Sequence, residues 1–345
     1  MCATRPIITF LLVVRNEARH LEQCIRGMLN QTLDPALYEL IVVDSMSTDG
    51  SRDIVRQIVK QHPERSIRLV DNPGLILSCG WNIGIRAARG EYVIRPDAHG
   101  GVPADFLERN LAVMQAHPEA AAVGGILETV GVGFWGETIA ALLSSRVGVG
   151  GSSFRVGAPA GPKEAVVFAL YRRAELIAVG GLDEGVRLNQ DNVLHARLRA
   201  ANKILYFDPG IRSTYYARGT LGKLWTQMWR RAQWLVLMFK HQRSSNFTLR
   251  YYVPMGFVLI LAALLVIGMF QPLAWGVLGI LLGLYALAGW ATATKCDLRP
   301  GQVLAFPLAA FVLHVSYGLG EVAGFLRLPF HRPDPSRMSP LKGES

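Results

Sequence analysis

The first hundred residues alternate four times between a short apolar run, rich in β-branched side chains, and a longer segment with helical spacing. Few folds accommodate that alternation. Continuous apolar runs of this length suit strands buried on both faces, as in a parallel sheet covered by helices. Strand–helix–strand units close through right-handed crossovers into a doubly wound α/β sheet. Strands are expected at residues 7–14, 38–44, 67–70 and 91–97. Helices are expected at 18–29, from the 45–50 turn to about residue 60, and from Ser78 as a cap to Arg89, where Gly90 closes the helix. Ligands of such sheets gather at the carboxyl ends of the strands. Here those ends read Arg15-Asn16-Glu17, Asp44 and Asp97-Ala98-His99.

After residue 100 the order loosens. A helix is expected at 103–116, and strands at 121–129, 165–171 and 204–207. Residues 131–163 are rich in Gly and Ser and read as a mobile loop. Gly180-Gly181-Leu182-Asp183 is a turn, and Asn189-Gln190-Asp191-Asn192 opens a helix to about residue 201. Residues 223–240 form an amphipathic helix. Trp225, Met228, Trp229, Ala232, Leu235, Val236 and Phe239 share one face, either for a membrane interface or for a protein core. Apolar runs at 254–270, 273–294 and 303–326 approach membrane-spanning length. A third full crossing would leave Arg327, His331, Arg332 and Arg337 on the far side, against the positive-inside tendency. The expectation is therefore two to three membrane segments, the third either crossing or re-entrant. The resulting organisation is a catalytic α/β domain at 1–220, an interfacial helix and linker at 221–252, a membrane domain at 253–326, and a proline-rich, disordered tail at 327–345.

The formal net charge is +10. Without an Arg-rich or aromatic nucleic-acid signature, that charge points to anionic lipid headgroups and anionic substrates and away from nucleic acid. Cys2, Cys24, Cys79 and Cys296 are scattered, with no paired spacing, which disfavours a disulfide framework or a zinc site. The chain runs from its first residues straight into a strand without a signal-peptide pattern, so the first domain is expected on the cytoplasmic side.

Three carboxylates stand where a ligand would bind. Asp97 and His99, two apart at a strand exit, could share a hard divalent cation whose remaining ligands come from water and phosphate; on spacing alone, a plain turn is the simpler account of the same residues. Asp44 could accept hydrogen bonds from a base edge or a ribose, or cap the next helix, a role that suits Asp49 better. Asp191 could cap its own helix, or act as a general base beside a bound donor.

Taken together, the pieces resemble family 2 glycosyltransferases. They are Val-Val-Arg-Asn-Glu, Ile-Val-Val-Asp-Ser-Met-Ser-Thr-Asp-Gly, Trp-Asn-Ile-Gly-Ile-Arg-Ala-Ala-Arg-Gly-Glu-Tyr, Asp-Ala-His, Gly-Gly-Leu-Asp-Glu and Gln-Asp, in order over roughly residues 6–208. The Asp-Ala-His form and the C-terminal hydrophobic segments look most like bacterial exopolysaccharide glucosyltransferases of the succinoglycan type. The resemblance implies a GT-A fold, a UDP-linked sugar donor, Mg²⁺ or Mn²⁺, and inversion at the anomeric carbon. It implies that Asp44 contacts the uridine, that Val14, Arg15 and Glu17 line its pocket, and that Asn82 lies on the nucleotide side. Asp97 and His99 then fall on the metal and diphosphate position, and Asp191 on the base position.

The chain also departs from the family pattern. His99 replaces a second Asp, Gln190-Asp191 leaves one carboxylate at the base motif, and Gln227-Met-Trp-Arg230 is followed by Arg231 where processive enzymes carry Trp. The expected function is thus transfer of one sugar to a polyprenyl-diphosphate-linked acceptor at the cytoplasmic membrane. Arg172, Arg173, Gln227, Arg230 and Arg231 are candidate acceptor contacts. A processive synthase and a non-catalytic nucleotide-binding membrane protein are the competing readings.

Overall fold

The computed structural model describes residues 5–97, 100–241 and 249–341. His99 lies outside them. The chain divides into two compact units.

The first unit comprises Met1–Glu128, Gly157–Tyr215 and Pro333–Ser345. Its strands are β1 (Ile8–Val14), β2 (Tyr38–Asp44), β3 (Ile67–Asp71), β4 (Tyr92–Ile94), β5 (Gly100–Gly101), β6 (Ala120–Val130), β7 (Gly161–Pro162), β8 (Leu170–Arg172) and β9 (Ile204–Tyr216). They form one mixed sheet in the order β3-β2-β1-β4-β8-β6-β9-β5, with β7 paired to β9. The expected parallel core is there: β1 pairs in parallel with both β2 and β4, and β2 with β3. Residues of β1 and β2 are almost wholly buried, which explains their unbroken apolar runs. Its first helices are α1 (Ala18–Leu29), α2 (Ser51–Gln61), α3 (Leu77–Ala87) and α4 (Phe106–Ala116).

α3 sits unusually close to β1. A Cβ placed on Gly84 would stand 2.0 Å from Leu11 Cδ1, and one on Gly80 would stand 2.6 Å from Val13 Cγ1. Two glycines one turn apart thus let a helix backbone press onto the central strand. Ser78, expected as the cap of α3, instead donates its hydroxyl to the Val186 carbonyl at 3.0 Å.

The second unit comprises Thr129–Val156 and Tyr216–Arg332. The Gly- and Ser-rich stretch read as a loop is largely helical here: α5 (Gly133–Leu143), α6 (Arg146–Val149) and α7 (Ser153–Val156). Its apolar residues Ile139, Leu142 and Leu143 are buried, and that burial outweighs the surrounding glycines. In the first unit, α8 (Arg173–Ala178) and α9 (Gln190–Ala200) follow β8. The second unit resumes with α10 (Leu221–Leu237), α11 (Val253–Gly268), α12 (Leu273–Ala293) and α13 (Pro300–Arg327). The amphipathic α10 buries Leu224, Met228, Ala232, Leu235 and Val236. It packs chiefly along α13, so most of its apolar face meets protein. Gly320 and Gly324 of α13 permit this: added Cβ atoms would come within 2.6 Å of the Trp229 carbonyl oxygen and 2.8 Å of Val236 Cβ.

α12 and α13 are long and apolar enough to cross a membrane, by length and composition. α11 has 16 residues, about 24 Å of helix against a hydrocarbon core of about 30 Å. The tail expected to be disordered is ordered through residue 341. α14 (Pro335–Met338) lies in it, and Leu341 is fully buried.

Candidate active site

Sheet register brings the strand-end residues level. Val14 pairs with Asp44 across β1 and β2, and Asp44 with Asp71 across β2 and β3. The loops that leave β1 and β2 are laced together at the carboxyl edge. The Asn16 amide donates to Ser47 Oγ, the Thr48 amide to Asn16 Oδ1, the Glu17 amide to Ser51 Oγ, and the Ala18 amide to Asp49 Oδ2, each at 2.9 Å. Asn16 reaches this arrangement at φ 55°, a left-handed conformation that Asn tolerates better than most residues. Asp49 also accepts the Ser51 amide at 3.0 Å, so one carboxylate serves the starts of both α1 and α2. The Ser51 hydroxyl, foremost, holds the Asp49 carboxyl below its ordinary range.

Asp44 is fully buried. Its Oδ2 accepts from the Ser47 amide at 3.0 Å and from Arg52 Nη1 at 2.8 Å, while Oδ1 is buried without a partner. Arg52 also reaches Asp71 at 2.7 Å. An unpartnered buried carboxylate oxygen at a strand end is an acceptor waiting for a donor group. Arg15 projects into solvent beside it, and Val14 is buried at the end of β1.

On the other side of β1, β4 ends at Ile94 and the chain runs through Arg95 and Pro96 to Asp97. Arg95, unassigned by the sequence reading, is the organising residue of this half. Its guanidinium is buried and lies over the Trp81 ring, 3.0 Å from the centroid. Its Nη2 donates to both carboxylate oxygens of Asp191, at 3.1 and 2.9 Å, and stands 3.9 Å from Asp97. Its Nε and Nη1 are buried without partners. Asp191 sits in the first turn of α9, behind Asn189 in the left-handed region, with 39% of its side chain exposed. One turn along α9, His195 Nε2 meets the Tyr171 hydroxyl at 2.8 Å. Burial, aided by Arg199 and Arg95, pushes its imidazole down to about 3, so it stays neutral. Burial pushes the Tyr171 hydroxyl up.

Cys24 of α1 is half-buried. Burial, with Asp97 and then Glu17 adding to it, pushes its thiol up to about 12. Two groups therefore stand at the carboxyl edge: Asp44, Ser47, Asn16 and Glu17, joined through the β1 and β2 loops, and Asp97, Arg95 and Asp191, joined through the Arg95 guanidinium.

The remaining expectations are redirected. Asn82 is fully buried. Its amide donates to the Leu182 carbonyl and to Glu184, and its Oδ1 accepts the Leu182 amide, all at 2.9 Å. It holds the turn ahead of α9 rather than facing a nucleotide. Arg172 and Arg173 are corrected outright as acceptor contacts. β8 runs antiparallel to β4, pairing Arg172 with Tyr92, which is level with Ile8 at the start of β1. That is the amino-terminal edge of the parallel strands, about 20 Å from their carboxyl ends. Arg172 Nε bonds the Ala120 carbonyl there, and Arg173 Nε the Ile85 carbonyl. Gln227, Arg230 and Arg231 lie on α10 in the second unit, both arginines exposed.

Among the described residues no three His, Cys, Asp or Glu side chains stand together as a metal site. Asp97, 46% exposed, is the described carboxylate that could offer a hard cation an oxygen. Such an ion would draw its other ligands from water or a substrate's phosphates.

A family profile described as Glycosyl transferase family 2 matches residues 9–147. The chain is 32% identical over 234 residues to succinoglycan biosynthesis protein ExoA of Rhizobium meliloti (strain 1021), covering 67% of each. It is 26% identical over 324 residues to the dolichyl N-acetyl-alpha-D-glucosaminyl phosphate 3-beta-D-2,3-diacetamido-2,3-dideoxy-beta-D-glucuronosyltransferase of Methanococcus voltae, covering 90% of this chain and 95% of that one. Among solved structures it is similar to the mannosyltransferase PcManGT of Pyrobaculum calidifontis in complex with GDP-Man and Mn²⁺. The TM-score is 0.57 at 21% identity, over 94% of this chain and 88% of that one. The fold is of the GT-A type.

Proposed function

The chain belongs to glycosyltransferase family 2, and from that premise we propose an inverting, membrane-associated enzyme that moves one sugar from a nucleotide-sugar to a polyprenyl-diphosphate-linked acceptor. The observation that carries this reading is the pair of polar groups at the carboxyl edge, one with the unpartnered Asp44 Oδ1 and the other with the Asp191 carboxylate held by Arg95. The names of the two relatives, one a transferase for a dolichyl-linked sugar phosphate and the other a succinoglycan biosynthesis protein, support a lipid-linked acceptor in glycan assembly. α12 and α13, each long and apolar enough to cross a membrane, support membrane association, and the catalytic unit is proposed to face the cytoplasm.

In this reading Asp44 Oδ1 accepts from the donor's nucleoside, a uridine by expectation, with Val14, Arg15 and Glu17 around it. Asp97 lies toward the diphosphate. Mg²⁺ or Mn²⁺ held at Asp97, with His99 and the diphosphate, would supply positive charge for the departing nucleoside diphosphate. Asp191 takes the proton of the acceptor hydroxyl as that oxygen attacks the anomeric carbon from the face opposite the diphosphate. The carbon–oxygen bond to the diphosphate breaks, and the electron pair leaves with it. Arg95 fixes the direction of the Asp191 carboxylate. Gln227, Arg230 and Arg231 are proposed for the acceptor's diphosphate.

The test is incubation of membranes bearing the protein with labelled UDP- and GDP-sugars and Mn²⁺, followed by extraction of the lipid fraction. One added sugar, lost in Asp191→Asn, is expected. A ladder of products would make it a processive synthase, and no transfer from any donor would remove the enzymatic reading.

A further inference from the structure

We infer that the C-terminal segment, residues 333–341, is a positioning element for the turn that carries Asp191, and that Leu341 is its anchor. The inference rests on the reading of Asp191 as the base. Between β8 and α9 the chain passes through Gly180 and Gly181, at φ +87° and +71°. Two successive glycines at positive φ leave a backbone with little stiffness of its own. Its shape is imposed from both sides. On one side Asn82 of α3 brackets Leu182, as described. On the other side lies the C-terminal segment. The Glu184 amide donates to the Arg337 carbonyl at 2.8 Å, and the Leu341 amide donates to the Gly180 carbonyl at 3.1 Å. Arg86 Nη2 donates to the Pro340 carbonyl at 3.0 Å, tying the segment to α3 as well.

The fit is close. A Cβ on Gly181 would meet Asn82 Oδ1 and Leu341 Cδ1, each at 2.6 Å, and one on Gly180 would meet Ser339 Cβ at 2.7 Å. The turn therefore lies between α3 and the segment with no room for a side chain. From the turn the constraint passes to α9: Arg197 donates to the Gly181 carbonyl at 3.2 Å and to Asp183 at 3.1 Å, and Asp183 is fully buried. Asp191 opens that same helix. Leu341 thus meets Gly181, Gly181 meets Arg197, and Arg197 belongs to α9, the helix that Asp191 opens.

The segment is short, with Leu341 as its one fully buried apolar side chain among residues 333–341. Its hold on the turn should depend heavily on that residue. Misplacing a catalytic group by about 1 Å can lower a rate about 100-fold.

The test compares the full chain with Leu341→Asp and Leu341→Met in detergent. Three quantities are read: hydrogen exchange of the amides at 180–194, turnover, and binding of UDP and GDP by titration. Leu341→Asp should speed exchange at Leu182 and Glu184 and lower kcat about 10- to 100-fold, with nucleotide binding and donor KM unchanged. Leu341→Met should restore both. A chain ending at Arg332 should regain turnover when a peptide of residues 333–345 is added, and not when the peptide carries L341D. Unchanged exchange at 180–194, or unchanged kcat, overturns the proposal. So does loss of nucleotide binding together with turnover, which would mean that the segment only holds the unit together. Exchange is read without turnover, so an active Asp191→Asn protein refutes the base assignment separately.

Discussion

Replacing Asp191 by Asn has two consequences of different origin, and separating them tests the site. The first is chemical: without the proposed base, turnover should fall about 10²- to 10⁴-fold. The second is structural. Asn keeps the shape of Asp but leaves the Arg95 guanidinium, only 7% exposed, without its main counter-charge. Stranding one member of a buried ion pair costs about 3–5 kcal/mol. Asp97, 3.9 Å from Arg95, retains part of the compensation, which favours the lower end, about 3 kcal/mol. The reverse change behaves differently. Arg95→Met leaves Asp191, with 39% of its side chain exposed, to be solvated by water. A pair broken in that direction costs about 1 kcal/mol, since the remaining charge is screened, and Met keeps much of the contact with Trp81. In thermal denaturation followed by circular dichroism, at about 2–4 °C per kcal/mol for a unit of this size, Asp191→Asn should lose about 6–12 °C and Arg95→Met about 2–4 °C. The double variant R95M/D191N should recover most of the stability lost by Asp191→Asn and none of the activity. If Asp191→Asn costs no more than Arg95→Met, or the double variant recovers nothing, Arg95 is not the buried partner that the geometry describes.

Three further outcomes follow from the same structure. Asp44→Asn should raise the donor KM about tenfold with kcat little changed, because the charged acceptor proposed for the nucleoside is weakened; steady-state kinetics with the active donor decides it. Gly84→Ala should destabilise the first unit by about 1–3 kcal/mol, since its methyl meets Leu11 Cδ1 at 2.0 Å, and a urea midpoint lower than wild type checks it. His195 has its folded pKa depressed to about 3 from 6.5. The unfolded chain therefore binds the proton first, and the stability tied to the neutral ring is complete above pH 6.5 and is lost as pH falls from there toward 3. By pH 5 that loss is about 2 kcal/mol, and a His195→Gln variant should show a shallower fall in unfolding midpoint between pH 7 and 5.

The parallel core was legible because β1 and β2 are buried on both faces, and such strands leave an apolar run that sequence alone displays. Asp44, Asp97 and Asp191 were legible as polar residues closing those runs or opening a helix. Arg95 was not: it stands between Ile94 and Pro96 like any polar strand end, and its partners Trp81 and Asp191 are brought to it only by tertiary packing. Arg172 and Arg173 show the converse error. A short apolar strand looks the same in either direction, and only its antiparallel pairing with β4 sends its arginines to the far edge. Asn82 belongs to the right motif, but its amide faces the protein interior. Composition misled twice, at 131–163 and at 333–341. In both places a few apolar side chains, Ile139 and Leu142 in one and Leu341 in the other, find a surface and order a stretch dense in glycine or proline.

The docked C-terminal segment also has a consequence for counting. Residues 333–341 pack within the same compact unit as residues 5–97. Two pieces of chain in contact occupy one side of a bilayer, so the chain between Tyr216 and Pro333 must cross it an even number of times. Three full crossings are thereby ruled out for the docked form. Arg327, Arg332 and Arg337 return to the side of the catalytic unit, which removes the charge conflict that a third crossing would create. A reporter fused after residue 345 should therefore share its compartment with one fused before residue 1.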